Sequence, residues 1–507
     1  MDDSEPTSLN ALLGSTVDAD IRAQLALNEE LWHSLLQTQQ IASSSDCSHL
    51  RAKVVRNLLS AGPEAQKTAE KCGLLVWFHH VLPNPSVSED PNDRFFWQAF
   101  ANASAGTSPI SRQLWQFLFE TDGSTPGLIM QDRTPRVYVS DGLHSAFTVA
   151  LWSLELSLEK DPQTDPIQDL CLTERGQTLL YILFCMDGVL EIGHRETALL
   201  KGFVEKIFQQ GFTSKLISVS QDCGHRTLYF VLNTLNELLE DASAKSAIAL
   251  APETFQTATA SFLEKGSSLR LMLSDLSTSS FSSDLSLTTF AEHVSVFLTC
   301  IKFYSLFLDV ANDDLERDTF KPCIVPDHPD LISPAANASD GSLKPLVKLL
   351  VDVLGLASNL FPAKTLVATS AASAQDPVRN EFAEAAAGLK RECLRLITFL
   401  LHLHPTLQDE VRELGAIPLI LQQCNIDDHN PYIREITILC IRQLLFNNVE
   451  NQSLVARLQP QQPVQSTVVN EAGYEVCLNS EGKPYLQSIH ADTGTAEMNE
   501  TNGSASS

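Results

Sequence analysis

A short cluster of acidic residues and one histidine lies near the carboxyl end of the sequence. The segment NIDDHNPYIREITILC, residues 425 to 440, places Asp427, Asp428 and His429 side by side. Carboxylate and imidazole groups can ligate a metal ion or transfer protons. Loops that bind hard ions, however, space their ligands at alternate positions around a bend glycine, and this segment contains no glycine. Because three adjacent side chains do not converge easily on one ion, we expect no metal site here.

Other signatures of catalysis are also missing from the sequence. It contains no GxSxG, P-loop, GxGxxG or HExxH segment. The adjacent His79 and His80 follow an apolar run, as expected of a surface or capping pair at a helix end. The 11 cysteines never form a CxxC pair, which argues against a zinc finger or a disulfide framework. We therefore predict that the protein is not an enzyme and needs no cofactor.

The charge balance limits the kinds of partner. The chain carries 62 acidic and 35 basic residues, a formal net charge of -27, with no run of Lys and Arg to attract a polyanion. The start, MDDSE, lacks the basic and apolar regions of a signal peptide. The most apolar stretch, residues 294 to 311, contains Lys302 and Asp309 and is predicted to be a buried helix. We expect a cytoplasmic protein that binds no nucleic acid and does not insert into a membrane.

The residues that follow the acidic cluster predict a helix. Asn430 and Pro431 have the types preferred at the N-cap and the first helical position. Asp427 and Asp428 then lie near the positive end of that helix, where acidic groups are favourable. Four apolar residues fall on one helical face: Ile433, Ile436, Cys440 and Leu444. The cluster is therefore interpreted as the start of a helix with one buried face.

The same helical spacing recurs along most of the chain, and parts of it repeat. Pro63, Gln66 and Gly73 reappear 342 residues later as Pro405, Gln408 and Gly415. A second comparison, at an offset of 43, aligns Leu396 with Leu439 and Leu401 with Leu444. A period near 43 is typical of armadillo and HEAT repeats, in which helices stack into an extended array. Gly73 and Gly415 are expected between two helices, where a positive φ is needed.

These patterns predict an all-α, armadillo/HEAT-like α–α superhelix (a solenoid) with a small C-terminal β-hairpin. We expect an N-terminal helical stack over 1–265, a serine-rich loop as linker over 266–285 and a C-terminal stack over 286–459. Alternating apolar residues at Tyr474, Val476 and Leu478 predict the hairpin, within 460–490. Since two strands alone are marginally stable, the hairpin should pack on the last helices. The polar residues 491–507 have the composition of a disordered tail.

The C-terminal stack resembles the ataxin-10 family over residues 412 to 458. That family has a glycine-led GIPLIL helix, an NIDD-x-NP turn and an AIRNL…NQ helix in this order. The matching positions here are Gly415, Pro418, Asn425, Asp427, Asp428, Asn430, Pro431, Arg442, Asn451 and Gln452. The segment NEAGYEVCLNSEGKPYLQS, residues 470 to 488, also resembles the closing segment of the family. An ataxin-10-type domain is therefore expected at about 376–490.

The resemblance implies a cytosolic armadillo-like scaffold without catalytic groups, which binds partner proteins and acts in cytokinesis and cell division. It leaves the partners unidentified and self-association into a homo-oligomer open. The alternative is an armadillo-fold regulator, an exchange factor or chaperone, of a GTPase subunit. Nucleotide release from candidate GTPases would separate the two functions, because a pure scaffold leaves the release rate unchanged.

Overall fold

The computed structural model describes residues 4–37, 45–82, 90–105, 108–119, 141–159, 161, 164–185, 194–240, 252–278, 286–313, 343–363, 377–402, 405–425, 427–458, 467–479 and 484–488. Within these ranges the secondary structure is helical apart from one two-stranded antiparallel sheet. Among the helices of this part of the chain, none is long and apolar enough to cross a membrane. The chain divides into two compact units, 1–265 with 295–321 and 266–294 with 322–507. The domain limits expected from the sequence stay predictions.

In its described residues, the first unit is a series of helices. Its helices are α1 (Ser4–Ser15), α2 (Ala19–Leu25), α3 (Glu29–Leu35), α4 (Ser45–Leu59), α5 (Pro63–Lys71), α6 (Leu74–Val81), α7 (Arg94–Ser104), α8 (Ser108–Phe119), α9 (Asp141–Leu158), α10 (Pro166–Leu172), α11 (Glu174–Phe184), α12 (His194–Gln209), α13 (Thr213–Cys223) and α14 (His225–Glu240). A 3₁₀ turn, Pro91–Asp93, precedes α7. Polar side chains start several of these helices; Thr173, for example, accepts a hydrogen bond of 2.9 Å from the N–H of Gly176 in α11.

The long helices of the first unit stack in sequence order. Helix α4 packs on α7, α7 on α9, α9 on α12 and α12 on α14, while shorter helices lie between them. Their shared core is rich in aromatic side chains. Trp97 of α7 is fully buried, and its ring centroid lies 4.9 Å from that of Phe147 of α9 in an edge-to-face contact. The successive packing of helix pairs is the arrangement that the repeat pattern predicts.

The helices α15 (Pro252–Thr278) and α16 (Leu287–Asp313) each contain residues of both units. The second unit continues with α17 (Lys344–Leu360), α18 (Pro377–Ala385), α19 (Leu389–Leu401), α20 (Pro405–Glu413), α21 (Ile417–Gln422), α22 (Ile433–Leu445), α23 (Val449–Arg457), α24 (Thr467–Glu471), β1 (Tyr474–Leu478) and β2 (Pro484–Ser488). Helix α19 packs on α17 and on α22, and the short helices α20 and α21 lie between α19 and α22 in sequence. The predicted all-α, armadillo-like fold with a small hairpin is confirmed.

The sequence repeat corresponds to a structural repeat. Gly73 joins α5 to α6 with φ 98°, and Gly415 joins α20 to α21 with φ 68°, as predicted. The paired glutamines also make equivalent contacts. Gln66 donates from Nε2 to the carbonyl of Asn102 at 2.7 Å, and Gln408 donates to that of Gln443 at 2.9 Å. In each unit, a buried glutamine on a short helix thus binds the backbone of the next long helix.

The structure differs from the loop predicted at 266–285. Residues 266 to 278 form the second half of α15, and residues 279 to 285 lie outside the described residues. Leu269, Leu273 and Leu276 recur at helical spacing and are buried. Burial of this apolar face outweighs the low helix preference of the serines between them, because serine content is only a weak local signal.

The predicted hairpin is present. Strands β1 and β2 pair in antiparallel register with Val476 opposite Leu486, and the short α24 contacts β1. Of the hairpin side chains whose exposure is described, none is buried, and Tyr474, Tyr485 and Leu486 are exposed. The contact with α24 joins the hairpin to the last described helix, and its packing on the helices before α24 stays a prediction. The tail expected at 491–507 lies outside the described residues.

Candidate protein-docking site

The acidic cluster at residues 427 to 430 connects two successive repeats. The carboxylate of Asp427 forms an ion pair with the ammonium of Lys390 on α19, and the two side chains are only 5% and 4% exposed. Lys390 also donates to the carbonyl of Phe361, at 2.8 Å. Both charges have lost their hydration, so each depends on the other for compensation. We name this contact, together with the hydrogen bonds of Asn430 described next, the inter-repeat clamp.

Asn430 does not cap its own helix, and the predicted N-cap role is wrong. Helix α22 begins at Ile433, after Tyr432, whose φ of 63° is left-handed. Asn430 is buried, accepts at Oδ1 from the backbone N–H of Arg391 at 3.3 Å and donates from Nδ2 to Asp427 at 3.1 Å. It therefore satisfies an N–H in the first turn of α19, in the preceding repeat. Helix α19 starts at a glycine without a side-chain cap, which explains why this N–H needs a partner from elsewhere.

The carbonyl of His429 completes this contact by accepting from the N–H of Gly388 at 2.8 Å. The clamp therefore uses a backbone carbonyl, an amide and a carboxylate from one turn. Pro431 precedes the left-handed residue and is not the first helical residue. Asp428 is exposed, so the two aspartates, adjacent in sequence, have different environments. The structure brings Asp427 and Asn430 together and points to a role in positioning α22.

A second polar network holds the following helix. Asn451, fully buried on α23, donates to the carbonyls of Leu444 at 2.9 Å and Gln408 at 3.3 Å, and accepts from Arg412 at 3.0 Å. Asn448 caps α23 by accepting from the N–H of Asn451 at 2.9 Å. These bonds join α23 to α20 and α22. They give Asn451 a positioning role that sequence comparison alone could not assign.

A carboxylate at the edge of this network is also stabilised in its charged form. Asn448 donates to Asp409 at 3.1 Å, and Arg412 contacts the same carboxylate. The hydrogen bond from Asn448, followed by that from Arg412 and its charge, lowers the pKa of Asp409 below its ordinary value.

The remaining residues of the family-like motif lie in turns and on exposed surfaces. Gly415 provides the turn between α20 and α21, and Pro418 is in the first turn of α21. Asn425 donates to the carbonyl of Gln422 at 3.0 Å, and Gln452 donates to that of Leu445 at 2.8 Å. Arg442 is exposed on α22. These positions shape the chain around α22.

Large apolar side chains are exposed on α22 and next to it, together with the charged Arg434, Glu435 and Arg442. Tyr432, Ile438, Leu439, Phe446 and Val449 are 75%, 53%, 51%, 47% and 66% exposed, and we call them the α22 stripe. Leu439 lies in the middle of α22, while Tyr432 directly precedes the helix and Phe446 directly follows it, so the three are spaced seven residues apart. Large exposed apolar groups in a contiguous set are typical of a surface that binds another molecule.

The buried face of α22 differs slightly from the predicted one. Ile433, Cys440 and Leu444 are buried as expected, but Thr437 is also fully buried and Ile436 is only half-buried. Thr437 satisfies its hydroxyl by donating to the carbonyl of Ile433, at 2.7 Å. The stripe was missed because the sequence analysis assigned the apolar residues of this helix to the core. A helical wheel does contain the signal, since Leu439 falls away from the buried face.

One further group could hold a metal ion. In the described ranges, His49, Asp90 and Asp93 have donor types and spacing that suit a divalent cation such as Zn²⁺. The Nε2 atom of His49 lies 3.0 Å from an oxygen of Asp93 and 3.7 Å from one of Asp90. Sequence analysis could not find this group, because its members come from α4 and the turn before α7. The expectation that the protein needs no metal stays a prediction.

The stacked helix pairs and the polar contacts between repeats define an armadillo-like helical repeat protein. Residues 389–487 match a family model described as the spinocerebellar ataxia type 10 protein domain. Over 471 residues the chain is 30% identical to the ataxin-10 homolog of Schizosaccharomyces pombe, covering 90% of this chain and 96% of that one. The chain belongs to the ataxin-10 family.

Other relatives match over a shorter part of the chain. The Saccharomyces cerevisiae ataxin-10 homolog is 40% identical over 101 residues, which cover 20% of this chain and 18% of that one. Human ataxin-10 is 37% identical over 97 residues, covering 19% and 20%. The chain thus spans about a fifth of these two relatives. The range matched by the family model, 389–487, contains Lys390, Asp427, Asn430 and the whole of α22.

Solved structures resemble the chain only weakly. An engineered protein is 10% identical, with a TM-score of 0.26 and coverage of 87% of this chain and 98% of that one. A structure described as showing a phosphorylation switch in the cadherin–β-catenin interaction is 11% identical, with a TM-score of 0.24 and coverage of 87% and 94%. At such scores neither likeness bears on the function of this chain.

Proposed function

We propose that this protein is a non-enzymatic protein-interaction scaffold of the ataxin-10 type, that it acts in the cytoplasm in the regulation of cytokinesis, and that two copies associate through the α22 stripe. The observation that carries the proposal is the exposure of five large apolar side chains on α22, in its flanking turns and at the first residue of α23. Burial of apolar surface contributes about 25 cal/mol per Å², so covering this stripe favours association.

The arrangement of residues along α22 favours a second copy as the occupant. Tyr432 lies seven residues before Leu439, and Phe446 lies seven residues after it. In an antiparallel pair with a two-fold axis at Leu439, Tyr432 of one copy therefore meets Phe446 of the other. Such a self-complementary surface is what a symmetric dimer requires.

The charges beside the stripe fit the same pairing. Glu435 precedes Leu439 by one turn and Arg442 follows it by about one turn, and both are exposed. The two-fold axis brings Glu435 of each copy near Arg442 of the other. Opposite charges at the rim favour the correct orientation more than they add affinity.

The inter-repeat clamp supports this role by fixing α22 before association. A surface that is already ordered loses less conformational entropy when it binds. A dimer also presents each partner-binding surface of the scaffold twice, which raises avidity towards multivalent partners. The proposed roles in the cytoplasm and in cytokinesis rest on the resemblance to the ataxin-10 family.

Self-association is tested by measuring the molar mass of the full chain by light scattering across a range of concentrations. We expect a concentration-dependent rise to the dimer mass, which Leu439→Glu should abolish. The matched control is Leu156→Glu, a similarly exposed leucine on α9, which should dimerise normally. A monomer at all concentrations would overturn self-association through the stripe.

The orientation is tested by charge reversal. Glu435→Arg and Arg442→Glu should each weaken the dimer because like charges then meet. The double variant should restore association, since each pair is opposite in sign again. Failure of the double variant to restore it would rule out antiparallel pairing at Leu439.

The role in division is tested in cells. A strain carrying only the Leu439→Glu protein should show delayed or incomplete separation of daughter cells, whereas the Leu156→Glu strain should divide normally. Normal division in cells that lack the protein altogether would remove the proposed link to cytokinesis.

A further inference from the structure

Three cations surround one aromatic ring in the first unit. Lys53 and Arg56 lie one turn apart on α4, and Arg94 and Phe95 begin α7. The Nζ atom of Lys53 is 4.5 Å from the centre of the Phe95 ring, and the guanidinium carbons of Arg56 and Arg94 are 5.3 Å and 5.1 Å away. All four side chains are partly exposed. We call these residues the Phe95 cluster.

The cluster concentrates positive charge around one aromatic ring. Among the described residues, none of its three cations forms an ion pair, although the chain has far more acidic than basic residues. Elsewhere in the same unit, Lys67 pairs with Glu64 and Arg112 pairs with Asp161, each at 2.8 Å. The carboxylate of Asp93, next to Arg94 in sequence, is hydrogen-bonded to His49 instead.

This arrangement is unfavourable for the protein by itself. Arg94 is the first residue of α7, where the positive end of the helix dipole repels a cation. Burial, and then the charge of Arg94, lowers the pKa of Arg56. An anion bound between the cations would relieve both the mutual repulsion and the unfavourable helix end.

Part of the cluster is held ready for such an anion. Arg56 donates to Gln98 at 2.8 Å and to Asn57 at 2.8 and 3.1 Å, which fixes the plane of its guanidinium. A guanidinium has five N–H donors, so two remain for a ligand. Within the described ranges, Lys53 and Arg94 contact the ring of Phe95 and form no hydrogen bond or ion pair, so their N–H donors are available to a ligand.

We propose that the Phe95 cluster binds the phosphate group of a phosphorylated serine or threonine on a partner peptide. A phosphate monoester carries up to two negative charges and three acceptor oxygens, which match donors from Lys53, Arg56 and Arg94. The exposed part of the Phe95 ring then contacts an apolar residue beside the phosphate. Nucleic acid fits less well, because three cations are too few to hold a polyanion against a net charge of -27.

The test is fluorescence polarisation of two labelled peptide pools with the full chain. The pools share randomised flanking positions and differ only in a central phosphoserine or serine. We expect the phosphoserine pool to bind at least about tenfold more tightly. Arg94→Gln and Lys53→Gln should each weaken its binding about tenfold. Lys67→Gln, a matched change on α5, should bind as the unmodified chain does.

Two kinds of result in this binding assay would overturn the proposal. The first is that both pools bind equally tightly, or that the Arg94→Gln and Lys53→Gln variants bind the phosphoserine pool as tightly as the unmodified chain does. The second is equally tight binding of an unrelated single-stranded oligonucleotide that the same variants abolish, which would make the cluster a general polyanion surface.

Thermal unfolding separates a binding role from a structural one. Because Arg94→Gln removes repulsion at the start of α7, it should leave Tm unchanged or raise it while it weakens phosphopeptide binding. A lowered Tm with unchanged binding would mean that the cluster only supports the fold, and the proposal would be wrong.

Discussion

Helices α19 and α22 occupy equivalent places in successive repeats, but an apolar position that is buried in α19 is exposed in α22. Leu396 on α19 is fully buried, whereas Leu439, at the same repeat position on α22, is 51% exposed. Helix α19 has α17 on one side and α22 on the other, while the contacts described for α22 are with α19, its short neighbours and α23. Matching leucines therefore belong to the core in one repeat and to an exposed surface in the next.

The position before these two leucines also differs between the repeats. Ile438 is exposed on α22, where the preceding repeat has the exposed Arg395. A stack that simply ended at α22 would be expected to carry a polar residue here, because terminal repeats need a polar outer face for solubility. The retention of isoleucine and leucine instead is the physical basis for proposing that a second copy covers this surface.

The largest expected effect comes from breaking the clamp that joins the two helices. Asp427→Ala leaves the ammonium of Lys390 buried without its carboxylate, which should cost about 3–5 kcal/mol of unfolding free energy. Urea denaturation measures the loss. The control is Asp428→Ala, an exposed neighbour that should change stability by less than about 0.5 kcal/mol. Equal effects of the two variants would contradict the clamp.

The next test compares the two equivalent leucines directly. Leu396→Ala opens a cavity in the core and should cost about 2–5 kcal/mol. Leu439→Ala should cost less than about 0.5 kcal/mol in the monomer and should weaken self-association instead. Urea denaturation at low protein concentration, together with light scattering, separates the two effects. Similar losses of monomer stability would mean that α22 is as buried as α19.

A smaller effect is expected at the amide that caps the neighbouring helix. Asn430→Ala leaves the N–H of Arg391 without its partner and should cost about 1–3 kcal/mol. His429→Ala should be close to neutral, because it contributes through its backbone carbonyl and the variant keeps that group. Hydrogen exchange should show the Asn430→Ala loss as faster opening at the start of α19. Faster exchange confined to α22 would restore the role of Asn430 as a cap for its own helix.

The smallest effect concerns the network that holds α23 and the Val449 end of the stripe. The folded protein lowers the pKa of Asp409, so the charged carboxylate contributes stability above the unfolded pKa of about 4, and this contribution is lost as pH falls through the folded pKa. Asn448→Ala removes the hydrogen bond that is the largest cause of the lowered pKa of Asp409. Acid titration of unfolding should therefore show less pH dependence below pH ~4 in this variant. If the unfolding free energy of the variant depends on acid pH as strongly as that of the unmodified chain, Asp409 does not contribute to this pH dependence.

The prediction of the fold from sequence succeeded where local patterns agree with tertiary packing. The glycines at 73 and 415, the glutamines at 66 and 408 and the terminal hairpin all follow from residue types at fixed spacing. The failures share one cause. The helix at 266–278 and the partner of Asn430 depend on contacts with residues distant in sequence, which local preferences do not encode.

The sequence by itself determined that the chain is a helical repeat protein of the ataxin-10 family, because helical periodicity, repeat spacing and the NIDDHNP segment are written in residue order. Only the tertiary structure decided what those residues do. It paired Asp427 with Lys390, placed Lys53 and Arg56 beside Arg94, and left Leu439 in solvent. Each outcome depends on which helix lies next to which, since burial and pairing are properties of neighbours in space.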